Sequence, residues 1–442
     1  MFQLHDRTRR RICIAAFVCF GAIPSLLVGG WCATRHLPGC AQAEADSLGR
    51  QLGLAVKLDA VKHLRPGAVL YEGIELADPE TGQPIFRSRC LEVGWQRQTD
   101  GQGQVRPTLV VIASQPEIEA ASIDLVWRWV QRLLESRPGA GDANVQFSAG
   151  EVTLRAGDRS QTLTEVAAQI ETLRDETRAQ VDFQLVGANT HGPASILVVR
   201  NHESSPPATR IELSTDDNKL PCSLLALGLD ELKPLGERCR FHGLIRAVET
   251  PEGWDADVTG HLIELDLDSL VTNRFPHRLS GIGNATIRSA RFRHGCLEEC
   301  NGELIAGRGT ISRSLLKAAG EYLGLIPGAG PFPAGDRIGY EELAVSFTLD
   351  AGGLRLQGLC TTAEPHTILS DGRNRLLGES TRDRQPVTAL VQTLAPPRAL
   401  QVPASRQTDW LLHHLQISDV SVSPAAESVP LNARLHLRDK WQ

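Results

Sequence analysis

Two short stretches of this chain carry residue types that could hold a metal ion. The stretch HGCLEEC supplies His294, Cys296 and Cys300, but no second ligand pair follows at the spacing of a zinc site. We therefore interpret these two cysteines as a local disulfide or as free thiols.

The stretch ELDLDSL places Glu264, Asp266 and Asp268 on one side of a predicted strand, where they form either a cation site or a solvated face. We favour the solvated face because no other oxygen-rich loop lies nearby in the sequence, and we expect no metal and no cofactor.

Motifs for nucleophilic, phosphate or zinc chemistry are missing from the sequence. It contains no G-x-S-x-G, no Walker loop and no H-E-x-x-H. The net charge of −6 and the pI of about 6.1 provide no basic field for a nucleic acid. We expect a protein that is not an enzyme. A membrane-tethered enzyme, with a site assembled from residues distant in sequence, stays open as an alternative.

The N-terminus has the pattern of a membrane anchor. Residues 12–33 contain no charged side chain, and four arginines precede them: Arg7, Arg9, Arg10 and Arg11. A helix rises about 1.5 Å per residue, so this stretch covers the ~30 Å of a hydrocarbon layer. Basic residues stay on the cytoplasmic side, which predicts a cytoplasmic tail over 1–11 and an anchor over 12–33. A cleaved signal peptide is the alternative, although the apolar stretch is long and no small-x-small cleavage site follows it.

Most of the remaining chain alternates between apolar and polar residues with the period of a β-strand. The stretch YEELAVSFTLDAGGLRLQGL, residues 340–359, predicts a hairpin with one apolar face. NVQFSAGEVTLRAG predicts a second hairpin that turns at Ser-Ala-Gly-Glu. Together these faces present ten side chains: Leu343, Val345, Phe347, Leu349, Leu354, Leu356, Val145, Phe147, Val152 and Leu154. Burying each is worth roughly 1.5–3 kcal/mol, so a helix, a curled sheet or lipid must cover them.

Helical periodicity interrupts the strands at several places. Residues 122–136 place Ile123, Val126, Val130, Leu133 and Leu134 along one side, and we expect this amphipathic helix to pack on the sheet rather than on a membrane surface. Shorter helices are predicted over 41–53 and 311–325, and within the tail stretches PVTALVQTL and DWLLHHLQI. A last strand is predicted at ARLHLRD.

The order of these features resembles the AsmA-like proteins, a group that includes the TamB-like proteins. Three stretches carry the resemblance: the opening LGRQLGLAVKLDAVKHLRPGAVLYEGIELADPETGQPIFRSRCLEVGW after the anchor, the segment 279–325, and the hairpin 340–359. The Gly-rich phrase that closes the family pattern is replaced here by AEPHTILSDGRNRLLGES. The chain is also short beside the longest members of the family.

The resemblance implies a mainly β protein with a few helices, namely an elongated, curved, groove-forming antiparallel sheet behind one transmembrane helix. Residues 41–140 would form an AsmA-like N-terminal β/α segment, 141–310 a central sheet, and 311–442 a C-terminal segment with a helix and hairpin. It also implies an inner-membrane protein with its bulk in the periplasm. Its partners would be phospholipid or another acyl-chain ligand, the inner membrane, and outer-membrane or envelope proteins. Lipid binding in the groove is the leading hypothesis, and a scaffold or assembly factor whose groove is filled by its own helices is the alternative.

Overall fold

The structure is a computed structural model of the 442-residue chain. It describes residues 6–35, 39–99, 105–119, 123–135, 144–156, 159–173, 175–186, 192–205, 207–226, 230–329, 335–361 and 363–395. The predicted tail elements DWLLHHLQI and ARLHLRD lie outside these residues.

The N-terminus is helical from Asp6 to Arg35. Helix α1 (Asp6–Phe17) and helix α2 (Ile23–Arg35) are joined by one π-helical turn, Val18–Ala22, in which the Ile23 amide donates to the Val18 carbonyl. This wider turn precedes Pro24, which lacks an amide donor and would crowd the carbonyl four residues before it in a regular helix. The window Arg10–Gly30 is long and apolar enough to span a membrane, and none of it is buried.

Five further helices lie in the described body of the chain. They are α3 (Gly39–Leu52), α4 (Ile123–Glu135), α5 (Cys222–Leu225), α6 (Arg313–Tyr322) and α7 (Val387–Leu394). A 3₁₀ helix at Asp230–Leu235 and a π-turn at Asp268–Thr272 complete the helical elements. The helices predicted over 41–53, 122–136 and 311–325 and at PVTALVQTL are thus confirmed.

Strands make up most of the body. The first half of the chain forms β1 (Ala55–Lys57), β2 (Ala60–Arg65), β3 (Ala68–Ala77), β4 (Pro84–Thr99), β5 (Val105–Ser114), β6 (Glu117–Glu119), β7 (Asn144–Ala156), β8 (Arg159–Thr172), β9 (Glu176–Leu185), β10 (Ala194–Asn201), β11 (Ala208–Ser214) and β12 (Leu220–Pro221). The second half forms β13 (Arg240–Thr250), β14 (Gly253–Asp266), β15 (Leu279–Ser280), β16 (Ile282–Arg293), β17 (Cys296–Ala306), β18 (Gly309–Ser312), β19 (Leu325–Pro327), β20 (Arg337–Tyr340), β21 (Glu342–Asp350), β22 (Gly353–Gly358), β23 (Thr367–Ser370) and β24 (Arg375–Ser380).

Twenty-one of these strands belong to one curved sheet, and β15, β18 and β20 form a small second sheet. Along the large sheet, strands pair mostly with their neighbours in sequence, which makes it a continuous strip. The strip crosses the three predicted segments without a break, because β5 pairs with β7 and β17 pairs with β21. The prediction of a mainly β protein built on one large curved sheet is confirmed.

One detail of the predicted antiparallel sheet is wrong. Strands β5 and β6 pair with β7 in parallel, so the sheet is mixed. The reason is the connection: α4 lies between β6 and β7 and carries the chain back, as parallel pairing requires a crossover rather than a tight turn.

Among the described residues, three clusters of buried apolar side chains lie against the sheet. A C-terminal cluster packs α6 and α7 on strands β13 to β24, for example through Leu316, Leu369 and Ala389. A central cluster fills the sheet around Val152 and Phe183. The third cluster lies beneath α4, where Leu134 is only 1% exposed and packs with Ala179 and Val198.

Candidate functional site: a continuous apolar face

Strand pairing aligns apolar residues from many strands into one line across the sheet. Residues directly opposite each other on paired strands point to the same face, so the register can be followed from strand to strand. Beginning at β3 and ending at β22, this line, which we call the central row, consists of Val69, Val93, Val111, Phe147, Ala168, Val181, Ile196, Leu213, Ile245, Val258, Ala290, Cys300, Leu349 and Leu354. No polar or charged residue interrupts it. At ~4.8 Å between strands, the central row is about 60 Å long.

A second apolar line, the flank row, runs beside the central row on the same face. It consists of Trp95, Leu109, Val145, Ile170, Ala179, Val198, Ile211, Ala247, Ala256, Phe292 and Leu297. Helix α4 covers its middle, where Trp127, Val130 and Leu134 pack near Ala179 and Val198. Trp95, at the β4 end, is 58% exposed. We call the face that carries both rows the inner face.

The opposite face of the same strands is polar. Residues that neighbour the central row in sequence pair across strands as ions: Arg246 Nε lies 3.1 Å from Glu212 Oε2, and Arg291 Nη1 lies 3.2 Å from Glu299 Oε2. Exposed pairs of this kind stabilise a fold by little. Their consequence is chemical asymmetry, because this outer face presents charges while the inner face presents hydrocarbon.

Coverage of the inner face changes along the strip. From β3 to β14 every central-row residue except Leu213 is half-buried and keeps part of its surface accessible. From β16 onward the row is largely covered, and Leu354 is only 4% exposed. Burial also raises the pKa of the Cys300 thiol to about 11, because a thiolate there would lose its hydration. The central row is thus half-buried in its N-terminal and middle parts, with α4 on the flank row at one side and the central cluster at the other, and it is closed at its C-terminal end.

The closed end contains the predicted hairpin 340–359. Strands β21 and β22 pair as predicted, with Phe347 opposite Leu356 and Leu349 opposite Leu354. Five of its six predicted residues, Leu343, Val345, Leu349, Leu354 and Leu356, belong to or pack on the C-terminal cluster with α6 and α7. The sixth, Phe347, lies over Gly302 of β17. A Cβ added at position 302 would lie 2.8 Å from the Phe347 ring, so the ring packs where Gly302 has no side chain.

The second predicted hairpin is wrong. Residues 144–156 form the single strand β7, and the supposed turn lies in its middle. The pairing of β7 with β8 is interrupted at one residue on each strand. On β7 this residue lies between Ala149 and Glu151, and on β8 it is Glu165, whose φ is +50°. This irregularity shifts the alternation, so that Val145 and Phe147 before it and Val152 and Leu154 after it are out of phase in sequence. Phe147, Val152 and Leu154 nevertheless pack in one cluster, and Val145 lies in the flank row.

The candidate metal ligands are dispersed by the structure. Asp266 accepts hydrogen bonds from the Asp268 amide and the Ser269 hydroxyl and so caps the π-turn. Glu264 lies in an irregular pairing of β14 with φ +58°. In the part of the chain that the structure describes, no three His, Cys, Asp or Glu side chains group as a metal site requires.

Of the two interpretations of Cys296 and Cys300, a local disulfide or free thiols, the structure excludes the local disulfide. Both residues lie on β17, and four residues of a strand span about 13 Å, well beyond the reach of a disulfide.

Sequence reasoning missed most of the central row, including Val181, Ile196, Ile245 and Val258. Val181, Ile196 and Ile245 lie in the strand-like stretches VDFQL, SILVVR and GLIRAV, whereas Val258 precedes the stretch HLIELDLDSL; in each case the pattern does not state which residues stand opposite each other. Comparison with family models, with curated proteins and with solved structures gave no match for this chain.

Proposed function

We propose that this protein is anchored in the inner membrane by its N-terminal helix and that its sheet, on the periplasmic side, binds or conducts phospholipid along the inner face. The observation that carries the proposal is the unbroken central row. Each buried CH₂ contributes about 0.8 kcal/mol, so ten methylenes of an acyl chain laid on this row would gain about 8 kcal/mol. Head groups would remain in water, so the role requires no catalytic group.

The anchor supports the placement of the sheet. The window Arg10–Gly30 has the length and composition of a membrane span, and Arg7, Arg9, Arg10 and Arg11 stand at its N-terminal end. Because basic residues remain in the cytoplasm, the sheet would lie on the other side of the membrane. The resemblance to AsmA-like proteins agrees with this arrangement and with a role in lipid homeostasis of the envelope.

The second candidate is a non-catalytic scaffold or outer-membrane assembly factor. Helices α6 and α7 favour it, because they already fill the inner face at the C-terminal end through Leu315, Leu316 and Ala389. In this case the half-buried stretch from β3 to β14 would hold protein segments rather than lipid.

Photocrosslinking in native membranes separates the two candidates. A photoreactive p-benzoylphenylalanine is placed in the full-length chain at Val181 or Val258 on the central row. Gln180 and Thr259, their exposed neighbours on the outer face, serve as matched controls. We expect phospholipid adducts, identified by mass spectrometry, at the two inner positions and none at the outer ones. Adducts to protein alone at Val181 and Val258 would support the scaffold, and equal lipid adducts on both faces would contradict the groove.

A further inference from the structure

Two cysteines that are 17 positions apart in sequence meet at the two ends of the segment between β12 and β13. The Cys222 and Cys239 sulfurs lie 2.9 Å apart, and the residues are 1% and 0% exposed. The pairing of β12 with β13 places Pro221 opposite Arg240, and the next pair along is Cys222 with Cys239. The Cys222 amide donates to the Cys239 carbonyl at 2.8 Å, which continues this pairing by one step.

This backbone geometry suits a covalent link. Opposed residues of an antiparallel pair have Cα atoms about 4.5–5.5 Å apart, which falls within the range of disulfides. The two side chains also point toward each other, since their sulfurs are in contact. The backbone therefore needs no rearrangement for the bond to form.

We propose that Cys222 and Cys239 form a disulfide in the mature protein. The oxidant is the disulfide of a thiol–disulfide oxidoreductase. One cysteine thiolate attacks it to give a mixed disulfide, and the second thiolate then displaces the oxidant as a dithiol. Two electrons pass to the oxidant, and its two sulfurs take up the two protons that the cysteines release. The inference rests on the proposed periplasmic placement, since disulfides persist in oxidising compartments.

Burial restricts when the bond forms and how long it lasts. An oxidant cannot reach sulfurs this deeply buried, so oxidation takes place while the segment folds. Once the segment has closed, the same burial shields the disulfide from reductants.

The bond would fix the segment that separates two parts of the inner face. Leu225, at the end of α5, packs against both the central and the C-terminal clusters, and Leu235 packs against the C-terminal one. The described parts of this segment, 222–226 and 230–239, therefore lie where the half-buried part of the central row meets the part covered by α6 and α7. A disulfide at its two ends closes the segment into a loop and limits its opening in the unfolded chain.

The test uses the full-length protein from its native membrane, with free thiols blocked during lysis under denaturing, acidic conditions. Peptide mass mapping without reduction should give a species in which Cys222 is joined to Cys239. Cys239→Ser should lose this species, and Cys90→Ser, which removes a half-buried thiol in β4, should keep it. Wild type that is unfolded and refolded in reductant should melt about 4 °C below wild type that keeps the bond, and the same treatment should leave the melting temperature of Cys222→Ser/Cys239→Ser unchanged.

Two free thiols in the native protein would overturn the inference, and a second arm then identifies the cause. The purified, reduced full-length protein is refolded in detergent with oxidised glutathione. Formation of the disulfide here, but not in cells, would place the fault in the proposed compartment rather than in the pairing. Failure in both arms would show that the pairing itself is wrong, whatever the function of the inner face.

Discussion

At the scale of single residues, consecutive side chains of a strand point alternately to the apolar inner face and to the polar outer face. Val258 lies on the central row between Ile245 and Ala290, whereas Thr259 beside it is exposed on the outer face. A charge therefore has opposite consequences at neighbouring positions. On the inner face an ionised carboxylate must give up water, which is costly without a partner, and on the outer face it stays hydrated.

We expect Val258→Asp to remove most of the lipid that co-purifies with the protein and Thr259→Asp to leave it unchanged. The carboxylate at 258 interrupts the hydrocarbon surface on which an acyl chain would lie. The measurement is phospholipid per mole of protein by mass spectrometry, after purification in a non-lipid detergent.

A third variant, Val258→Thr, separates loss of lipid from loss of fold, because threonine keeps the shape and the strand preference of valine. Circular dichroism should be unchanged in all three variants. Lipid content equal to the wild type in a folded Val258→Asp protein would remove the central row from the proposed function.

At the scale of elements, α6 and α7 decide which part of the inner face is closed. Helix α6 begins at Ser312, whose side chain accepts from the Leu315 amide and satisfies one of the free donors of the first turn. His277, which is 3% exposed, lies against this helix start with Nδ1 at 3.0 Å from Ser314 Oγ. Burial lowers the pKa of His277, and the backbone of Thr393 in α7 partly offsets this.

This lowered pKa makes stability depend on pH. The unfolded chain binds a proton at His277 in the ordinary range, near pH 6.5, and the folded chain resists it. The contribution of neutral His277 to the free energy of unfolding is therefore fully present above that range, and it is lost as the pH drops below it. We expect His277→Gln to lose part of the difference in unfolding free energy between pH 8 and pH 5, measured by urea denaturation. Identical pH dependence in the variant and the wild type would show that His277 does not couple protonation to folding.

At the scale of the whole molecule, the sheet is a strip with unlike faces attached to a helix that can span a membrane. The proposal places all strands on the side opposite the arginines. The turn between β13 and β14 contains the exposed residue Glu252 and gives a reporter position on the body of the protein.

We expect Glu252→Cys to react with a membrane-impermeant maleimide in intact spheroplasts, as mapped by mass spectrometry of the labelled peptide. Thr8→Cys, placed among the arginines, should react only after the membrane is permeabilised. The reverse pattern would show the sheet to be cytoplasmic. It would contradict both the proposed periplasmic role and the proposed disulfide. The chemical difference between the inner and outer faces of the sheet would still hold.

The sequence alone determined those features that depend on neighbours along the chain. Alternation indicated the hairpin of β21 and β22, helical spacing indicated α4 and α6, and an uncharged stretch behind arginines indicated the N-terminal helix. These signals are local, because side-chain direction follows from the backbone period of each element.

Only the tertiary structure decided which residues meet. Register joins Val69 of β3 to Leu354 of β22 through the strands between them, and no single strand contains that information. A change of phase in alternation reads the same for a turn and for a bulge, so pairing with β8 was needed to show that β7 continues through Gly150. The contact of Cys222 with Cys239 and the cover of α6 and α7 likewise depend on packing between segments distant in sequence. Register and packing are set by non-local contacts, which local periodicity does not encode.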